Sequence, residues 1–252
     1  MSVSFDPTRA ALRLDAEAFI TLTELSSVTV DDCDTTLGTL VEAGVVTDGV
    51  PHPVLRPGLA AVSDSTASLQ VLVAGPEDVR LHHGWLSRES ALLTDLGDGT
   101  YDFAAVTAEF VPESIARLTR LVPRPRLATD TADLAETVVV DEAVLDDLAS
   151  NSVRARTAGG EALADLLMPW PAVAAAVRTG TWRLSLVDVT FADGGRTIAR
   201  RLAWVDTDAG TLRVEVDEHG PVLVPATTTE LWRAVVAILS GPVEPRTVAR
   251  SA

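Results

Sequence analysis

The sequence predicts an α/β (α+β) fold built from two copies of one unit that are related by a quasi-two-fold axis. The first observation is an echo between "LLTDLGDGTYDFAAV" (92–106) and "LAWVDTDAGTLRVEV" (202–216), in which Asp95 and Asp206, 111 residues apart, each stand four residues before a Gly-Thr pair. The second is that apolar residues alternate after each Gly-Thr pair, which is typical of a half-buried strand. The third is that helices, an antiparallel meander and a closing helix follow one another in each half.

Each element follows from its own pattern. Strand candidates occupy 68–74 and 79–86 in the first half, and 181–192 and 196–206 in the second. Asp193-Gly194-Gly195 predicts a hairpin between the last two strands. Ala- and Leu-rich helical stretches cover about 15–25, 33–44, 57–64, 141–150 and 160–177. Met168-Pro169-Trp170-Pro171 must break or kink the last of these, because proline removes a helical hydrogen bond.

The closing helices align if the second copy carries two extra loop residues, which matches Val111-Pro112 with Val224-Pro225. Thr228 then caps the second helix, whose inward residues are Leu231, Val235 and Ile238.

We therefore expect two homologous halves, 1–126 and 127–252, packed as one domain and joined through "PRPR" (123–126). The segments around Gly99 and Gly210 should superpose. The shared Asp-x-x-x-Gly-Thr pattern is interpreted as turn chemistry, because glycine adopts a positive φ that other residues resist.

Composition excludes several classes of protein. The 252 residues carry a net charge of −16, which disfavours nucleic acid as a partner. All twenty basic residues are arginine, so no P-loop or Schiff-base lysine exists. No segment has the roughly 18 to 20 apolar residues of a membrane span, and no secretory signal is visible. With Cys33 as the only cysteine, these features predict a cytoplasmic protein without membrane insertion.

The residue types of catalysis are present without their usual spacing. His52, His82, His83 and His219 lack the spacing of a zinc site, and Cys33 has no recognisable histidine context. Gly159-Gly160 is a weak phosphate-loop signal and is better interpreted as a turn at the start of a helix. The sequence therefore predicts neither a metal, nor a cofactor, nor an enzyme.

A family resemblance covers nearly the whole chain. The segment "GTWRLSLVDVTFADGGRTIARRLAWVDTDAGTLRVEVDEHGPVLVPATTTELWRAVVAIL" (180–239) resembles the closing pattern of the EspG family, cytosolic chaperones of ESX (type VII) secretion. "LVEAGVV" (40–46) and "PVLRPGLAAVSDSTASLQVLV" (53–73) are similar to that family's passage into its first sheet strands. The resemblance implies a central antiparallel sheet flanked by helical bundles. It also implies a function, which is to hold the helical tip of a PE–PPE-like heterodimer before export.

A helical client needs an exposed apolar groove with polar edges. On the strand 196–206, the residues that alternate onto one face are Arg196, Ile198, Arg200, Leu202 and Trp204. Arginines and a tryptophan suit the carbonyl end of a helix, so this face is the candidate client-binding surface. It is open to a client only if the protein's own closing helix does not cover it, and the exposure of Trp204 decides between the two.

The alternative function is that of a duplicated α/β regulatory or ligand-binding protein without a secretion role. Self-association into a homodimer is left open.

Overall fold

The backbone of the protein is organised around one long antiparallel sheet. The computed structural model describes residues 2–25, 35–127, 137–193, 195–218 and 220–240. Before residue 127 the elements are β1 (Ser4–Asp6), β2 (Ala11–Asp15), α1 (Ala16–Leu25), α2 (Thr35–Glu42), β3 (Val46–Thr47), β4 (Val50–Pro51), α3 (Arg56–Ser63), β5 (Ala67–Ala74), β6 (Val79–Leu86), β7 (Glu89–Asp95), β8 (Thr100–Thr107) and α4 (Val111–Leu118). After it come β9 (Val138–Val139), α5 (Glu142–Ala149), α6 (Val153–Leu166), α7 (Pro171–Arg178), β10 (Trp182–Asp193), β11 (Arg196–Thr207), β12 (Gly210–Asp217), β13 (Gly220–Ala226) and α8 (Thr228–Leu239).

The strand order confirms the quasi-two-fold fold. Within the described residues, eleven strands pair in the order β1-β2-β8-β7-β6-β5-β10-β11-β12-β13-β9, and β3 pairs with β4 separately. The central neighbours are β5 and β10, which run antiparallel. From this pair outward, the meander β5 to β8 on one side mirrors the meander β10 to β13 on the other, and each ends in a helix, α4 or α8. The boundary between homologous halves near Arg126 stays a prediction.

The two Asp-x-x-x-Gly-Thr segments, 111 residues apart, do not occupy equivalent positions in this symmetry. They lie in hairpins that differ by one strand in their place along the meander. Gly99 precedes β8, the fourth strand of its meander, whereas Gly210 opens β12, the third strand of the other. The expected superposition of the two glycines is therefore wrong, although the order of elements is duplicated. The match of Val111 with Val224 is also wrong, because Val111 begins a helix while Val224 lies in β13.

One of the strands that the sequence patterns do not predict is β13, which contains Pro221 and Pro225. Proline cannot donate to a ladder and is tolerated near the edge of a sheet. The strand fits this rule, since only Val222 and Leu223 pair with the short edge strand β9.

The two faces of the sheet carry different helices. On β10 the odd-numbered residues Val187 and Val189 pack with α4 and α8, whereas the even-numbered Trp182 and Leu184 pack with the helices α5 to α7. The helices α1 to α3 cover the outer strands of the first half. This alternation is the period of two expected for a strand that is buried on both faces.

Local sequence explains the helix ends. The capping box of α8 uses Thr227, one residue before the predicted cap, and its side chain accepts the Glu230 backbone N–H at 3.3 Å. The inward residues Leu231, Val235 and Ile238 are buried as predicted. The stretch 160–177 is divided between α6 and α7, and the break falls at the predicted proline-rich segment.

Gly159 and Gly160 lie inside α6 rather than at its start, which corrects the predicted turn. A Cβ at Gly159 would stand 3.1 Å from the Leu148 backbone nitrogen of α5, and one at Gly160 would stand 3.3 Å from Nε1 of Trp182. These glycines therefore allow α6 to approach α5 and the sheet closely.

Candidate functional site

The predicted client-binding face of β11 is largely covered by the protein itself. The side chain of Trp204 is 0% exposed and that of Leu202 is 7% exposed. Both belong to the core cluster that contains Leu231, Val235 and Ile238 of α8. Of the two possibilities for this face, the structure therefore shows the one in which the closing helix covers it, since the apolar stripe of α8 packs on Trp204 and Leu202.

Arg200 binds the carbonyl end of a helix, as predicted, but that helix is the protein's own α8 and not part of a client. Its Nη1 donates to the carbonyl oxygen of Ala237 at 3.2 Å and to that of Ser240, at the C-terminal end of α8. The guanidinium also lies 5.3 Å from the centre of the Phe191 ring. A cation at this position stabilises the negative end of the helix dipole, and it adds a second donor to the Ala237 carbonyl, which also accepts the Ser240 N–H at 3.3 Å.

The other two predicted residues lie toward the β10–β11 hairpin. Arg196 is exposed, and Ile198 is half-buried against the same core. Binding of a client by these two side chains stays a prediction.

At the opposite end of this face, Asp206 ties the linker to the second meander. It accepts from Nη2 of Arg124 at 2.7 Å and from the Thr211 hydroxyl at 3.0 Å. The hydrogen bonds and charge of Asp206 raise the pKa of Arg124. The linker is thus fixed by a bidentate ion pair with a carboxylate that is almost fully buried.

The aspartates of the two Asp-x-x-x-Gly-Thr segments, Asp95 and Asp206, have different hydrogen-bond partners. Asp95 accepts the Gly97 backbone N–H at 2.7 Å within its own turn, whereas Asp206 binds the linker. The two glycines differ as well. Gly99 has φ +82° and open space around a Cβ, whereas a Cβ at Gly210 would overlap the Leu127 side chain. Turn chemistry therefore accounts for Asp95 and Gly99, while Asp206 and Gly210 hold the linker.

A second surface lies on the other face of the sheet, at its centre. Two neighbouring rows of side chains cross the strands there. The apolar row consists of Leu81, Leu72 and Leu186, and the polar row consists of His83, Gln70, Asp188 and Arg201. We call these seven residues the central strip. Leu81 is 36% exposed and Gln70 is exposed, so the middle of the sheet is accessible from this side.

Helix α5 borders the central strip. The Arg201 guanidinium donates to both carboxylate oxygens of Asp188, at 2.7 and 2.9 Å. This contact, followed by the charges of Asp146 and Glu142 on α5, raises the pKa of Arg201. The strip therefore combines an apolar row, a fixed ion pair and an acidic margin.

Sequence reasoning did not single out the central strip. Alternation shows that Leu72 and Leu186 share a face with neither Val71 nor Val187. In a strand buried on both sides, however, it cannot say which stretch the helices cover only in part, as they do at Leu72, which packs against the cluster of α5 to α7 but stays half-buried. The register of β6, β5 and β10 assembles the strip, and that register is a tertiary property.

Two absences hold within the described ranges 2–25, 35–127, 137–193, 195–218 and 220–240. None of their helices is long and apolar enough to cross a membrane. No group of three or more His, Cys, Asp or Glu side chains in those ranges is placed to hold a metal ion. Cys33 and His219 lie outside the described residues. His82 and His83 point to opposite faces as predicted, with His82 buried and His83 half-buried.

One solved structure with the same fold is that of the Mycobacterium tuberculosis type VII secretion system chaperone EspG5 in complex with the PE25–PPE41 dimer. The two chains superpose with a TM-score of 0.57 at 12% sequence identity, over 91% of this chain and 95% of that chain. The two proteins therefore share a fold over about nine-tenths of this chain. No family model matches the chain, and no curated protein matches it in sequence.

Proposed function

We propose that this protein is a cytosolic, non-enzymatic chaperone for a helical secreted client, a PE–PPE-like heterodimer exported by a type VII (ESX) system. The observation that carries the proposal is the near-complete overlap in fold with EspG5, which was solved with the PE25–PPE41 dimer. The sequence resemblance in 180–239 supports the same function.

The docking surface in this proposal is the central strip. Layered folds cover the apolar faces of their sheets with helices, so a leucine row left half-exposed at the centre of a sheet favours a partner. An amphipathic helix end can place its apolar side on Leu81, Leu72 and Leu186. Its polar side then meets the row that contains Gln70 and Asp188. The acids of α5 favour a client whose tip is basic.

Co-expression tests the function. The chain is produced with each PE–PPE-like heterodimer encoded in its source genome, and the products are analysed by size-exclusion chromatography with light scattering. We expect a stable complex of one chain with one heterodimer. Failure of every heterodimer to form such a complex would contradict the proposed function.

Paired variants test the surface. Leu81→Arg places a charge on the central strip, and Val236→Arg places the same charge on the outer side of α8, where Val236 is 41% exposed. Since the two positions are exposed to a similar extent, both variants should remain folded. We expect Leu81→Arg to weaken the complex at least about tenfold, by burying an unpaired charge, and Val236→Arg to leave it unchanged. Equal binding by the two variants would remove the central strip as the docking surface while leaving the function intact.

A further inference from the structure

A cavity of about 280 Å³ at the C-terminal end of α4 is lined by arginines from three elements. They are Arg80 on β6, Arg117 and Arg120 at the end of α4, and Arg183 on β10. The cavity lies on the face of the sheet that carries α4 and α8, opposite the central strip. The remaining charged lining residues are Asp78 and Asp95, so positive charges exceed negative ones by two.

In the part of the chain that the structure describes, two of the four arginines that line the cavity form ion pairs, and the other two do not. Arg80 pairs with Asp78 at 2.9 Å, and Arg117 pairs with Glu113 at 2.8 Å. Within the described residues, Arg120 and Arg183 make no ion pair. The carboxylate of Asp95 is engaged with backbone, since it accepts the N–H groups of its own turn and of β6.

Arg183 lies in an environment that opposes its charge. Its partner across the strands is Asp206, but the oxygens of Asp206 are held by Arg124 and Thr211. Burial, followed by the neighbouring charge of Arg120, lowers the pKa of Arg183. An anion between Arg120 and Arg183 would relieve this repulsion.

Arg120 occupies a backbone position that favours glycine. Its φ is +51°, and the Leu121 N–H donates to the Ala116 carbonyl at 2.8 Å, which closes α4 with a Schellman turn. A non-glycine residue with this φ costs on the order of 1 kcal/mol. Backbone strain of this kind persists where the surrounding structure holds the residue in that conformation, as the Schellman turn does here.

His82 adds a neutral group to the lining. Its Nδ1 accepts the Asp95 N–H at 3.0 Å, so the proton of the neutral ring lies on Nε2. Burial lowers the pKa of His82 to about 4, so the ring is uncharged at neutral pH.

We infer that this arginine-lined cavity binds an oxyanion of the phosphate class. Guanidinium groups donate paired N–H bonds to phosphate oxygens, and a dianion matches the excess of two positive charges. The ligand is either free inorganic phosphate or the phosphate group of a small phosphomonoester. The inference is independent of the chaperone proposal.

The test uses Arg120→Gly, which removes the guanidinium and suits the backbone at this position, so the variant should fold. Arg183→Met removes the second unpaired arginine. Arg88→Gly is the control, since Arg88 is exposed in the β6–β7 turn and the charge change is the same. Calorimetric titration with inorganic phosphate, at constant ionic strength set with chloride, should give saturable binding to the unmodified protein. We expect Arg120→Gly and Arg183→Met each to weaken it at least about tenfold, and Arg88→Gly to leave it unchanged.

A parallel titration with glycerol 2-phosphate identifies the source of the ligand. Tighter binding than that of phosphate supports a phosphomonoester, and binding of phosphate alone supports the free ion. Absence of saturable binding with both compounds overturns the inference. An equal effect of all three substitutions overturns it too, because it would indicate a general response to net charge.

Discussion

The contact between Arg200 and the end of α8 gives a prediction that separates internal packing from client binding. Arg200→Asp removes a guanidinium that binds the carbonyls of Ala237 and Ser240, and places a carboxylate beside the negative end of the helix. If the face of β11 were an open client surface, this change would abolish binding without altering stability. Because α8 covers the face, we expect a loss of stability instead.

The magnitude follows from three contributions. Loss of a cation at the C-terminus of a helix costs about 0.5 to 1 kcal/mol, and an anion in its place costs about as much again. Loss of the contact with the Phe191 ring adds about 0.5 kcal/mol. The total is about 2 kcal/mol, which corresponds to a fall in Tm of roughly 4 to 8 °C for a chain of this size.

Differential scanning calorimetry measures this fall, with Arg196→Asp as the control. Arg196 lies on the same face of the same strand, is exposed, and undergoes the same change of charge. We expect the control to remain within about 0.5 kcal/mol of the parent protein. The reasoning is refuted if the two variants melt together, or if Arg200→Asp melts like the parent protein and loses the client.

Two further predictions concern His82 and the glycines of the helices. The pKa of His82 is about 4 in the folded protein against 6.5 ordinarily, so between these values the unfolded chain binds a proton that the folded chain does not, and stability falls as the pH drops from 6.5 toward 4. His82→Asn keeps an acceptor for the Asp95 N–H and cannot titrate, while Asp95, Arg80 and His83 stay in place. In urea unfolding, the variant should lose up to about 3 kcal/mol less of its free energy of unfolding than the parent protein between pH 6.5 and pH 4. Identical pH profiles of the two proteins would count against the assignment. Gly159→Ala should destabilise the protein by about 1 to 3 kcal/mol, because the added methyl group overlaps with α5. Gly38→Ala should stabilise it by about 0.5 to 1 kcal/mol, because the methyl group meets open space inside α2. Denaturation midpoints of the two variants that shift in the same direction would contradict this.

Local chemistry made much of the fold predictable from the sequence. The strands β5, β6, β10 and β11 follow from alternation, and the closing helix follows from its inward residues. The start of α5 is also set by local sequence, since the side chain of Asp141 accepts the Ala143 N–H at 2.9 Å. These features depend on residues close together in the chain.

The errors arose where tertiary context decides. β13 was missed because Pro221 and Pro225 argue against a strand, and only its place beside the short β9 makes it tolerable. The repeat was aligned one hairpin out of step because Asp-x-x-x-Gly-Thr suits any tight connection between strands. Alternation grouped Trp204 correctly with its neighbours on β11, but it could not tell that α8 would lie over them.

The most direct test of the central claim is an experimental structure of the chain bound to a PE–PPE-like heterodimer, the client proposed for it. The account predicts that the helical tip of the client contacts Leu81, Leu186 and Gln70 on the central strip, while α8 still covers Trp204. A structure in which the client displaces α8 from Trp204, or binds a surface that includes none of the central strip, would contradict it.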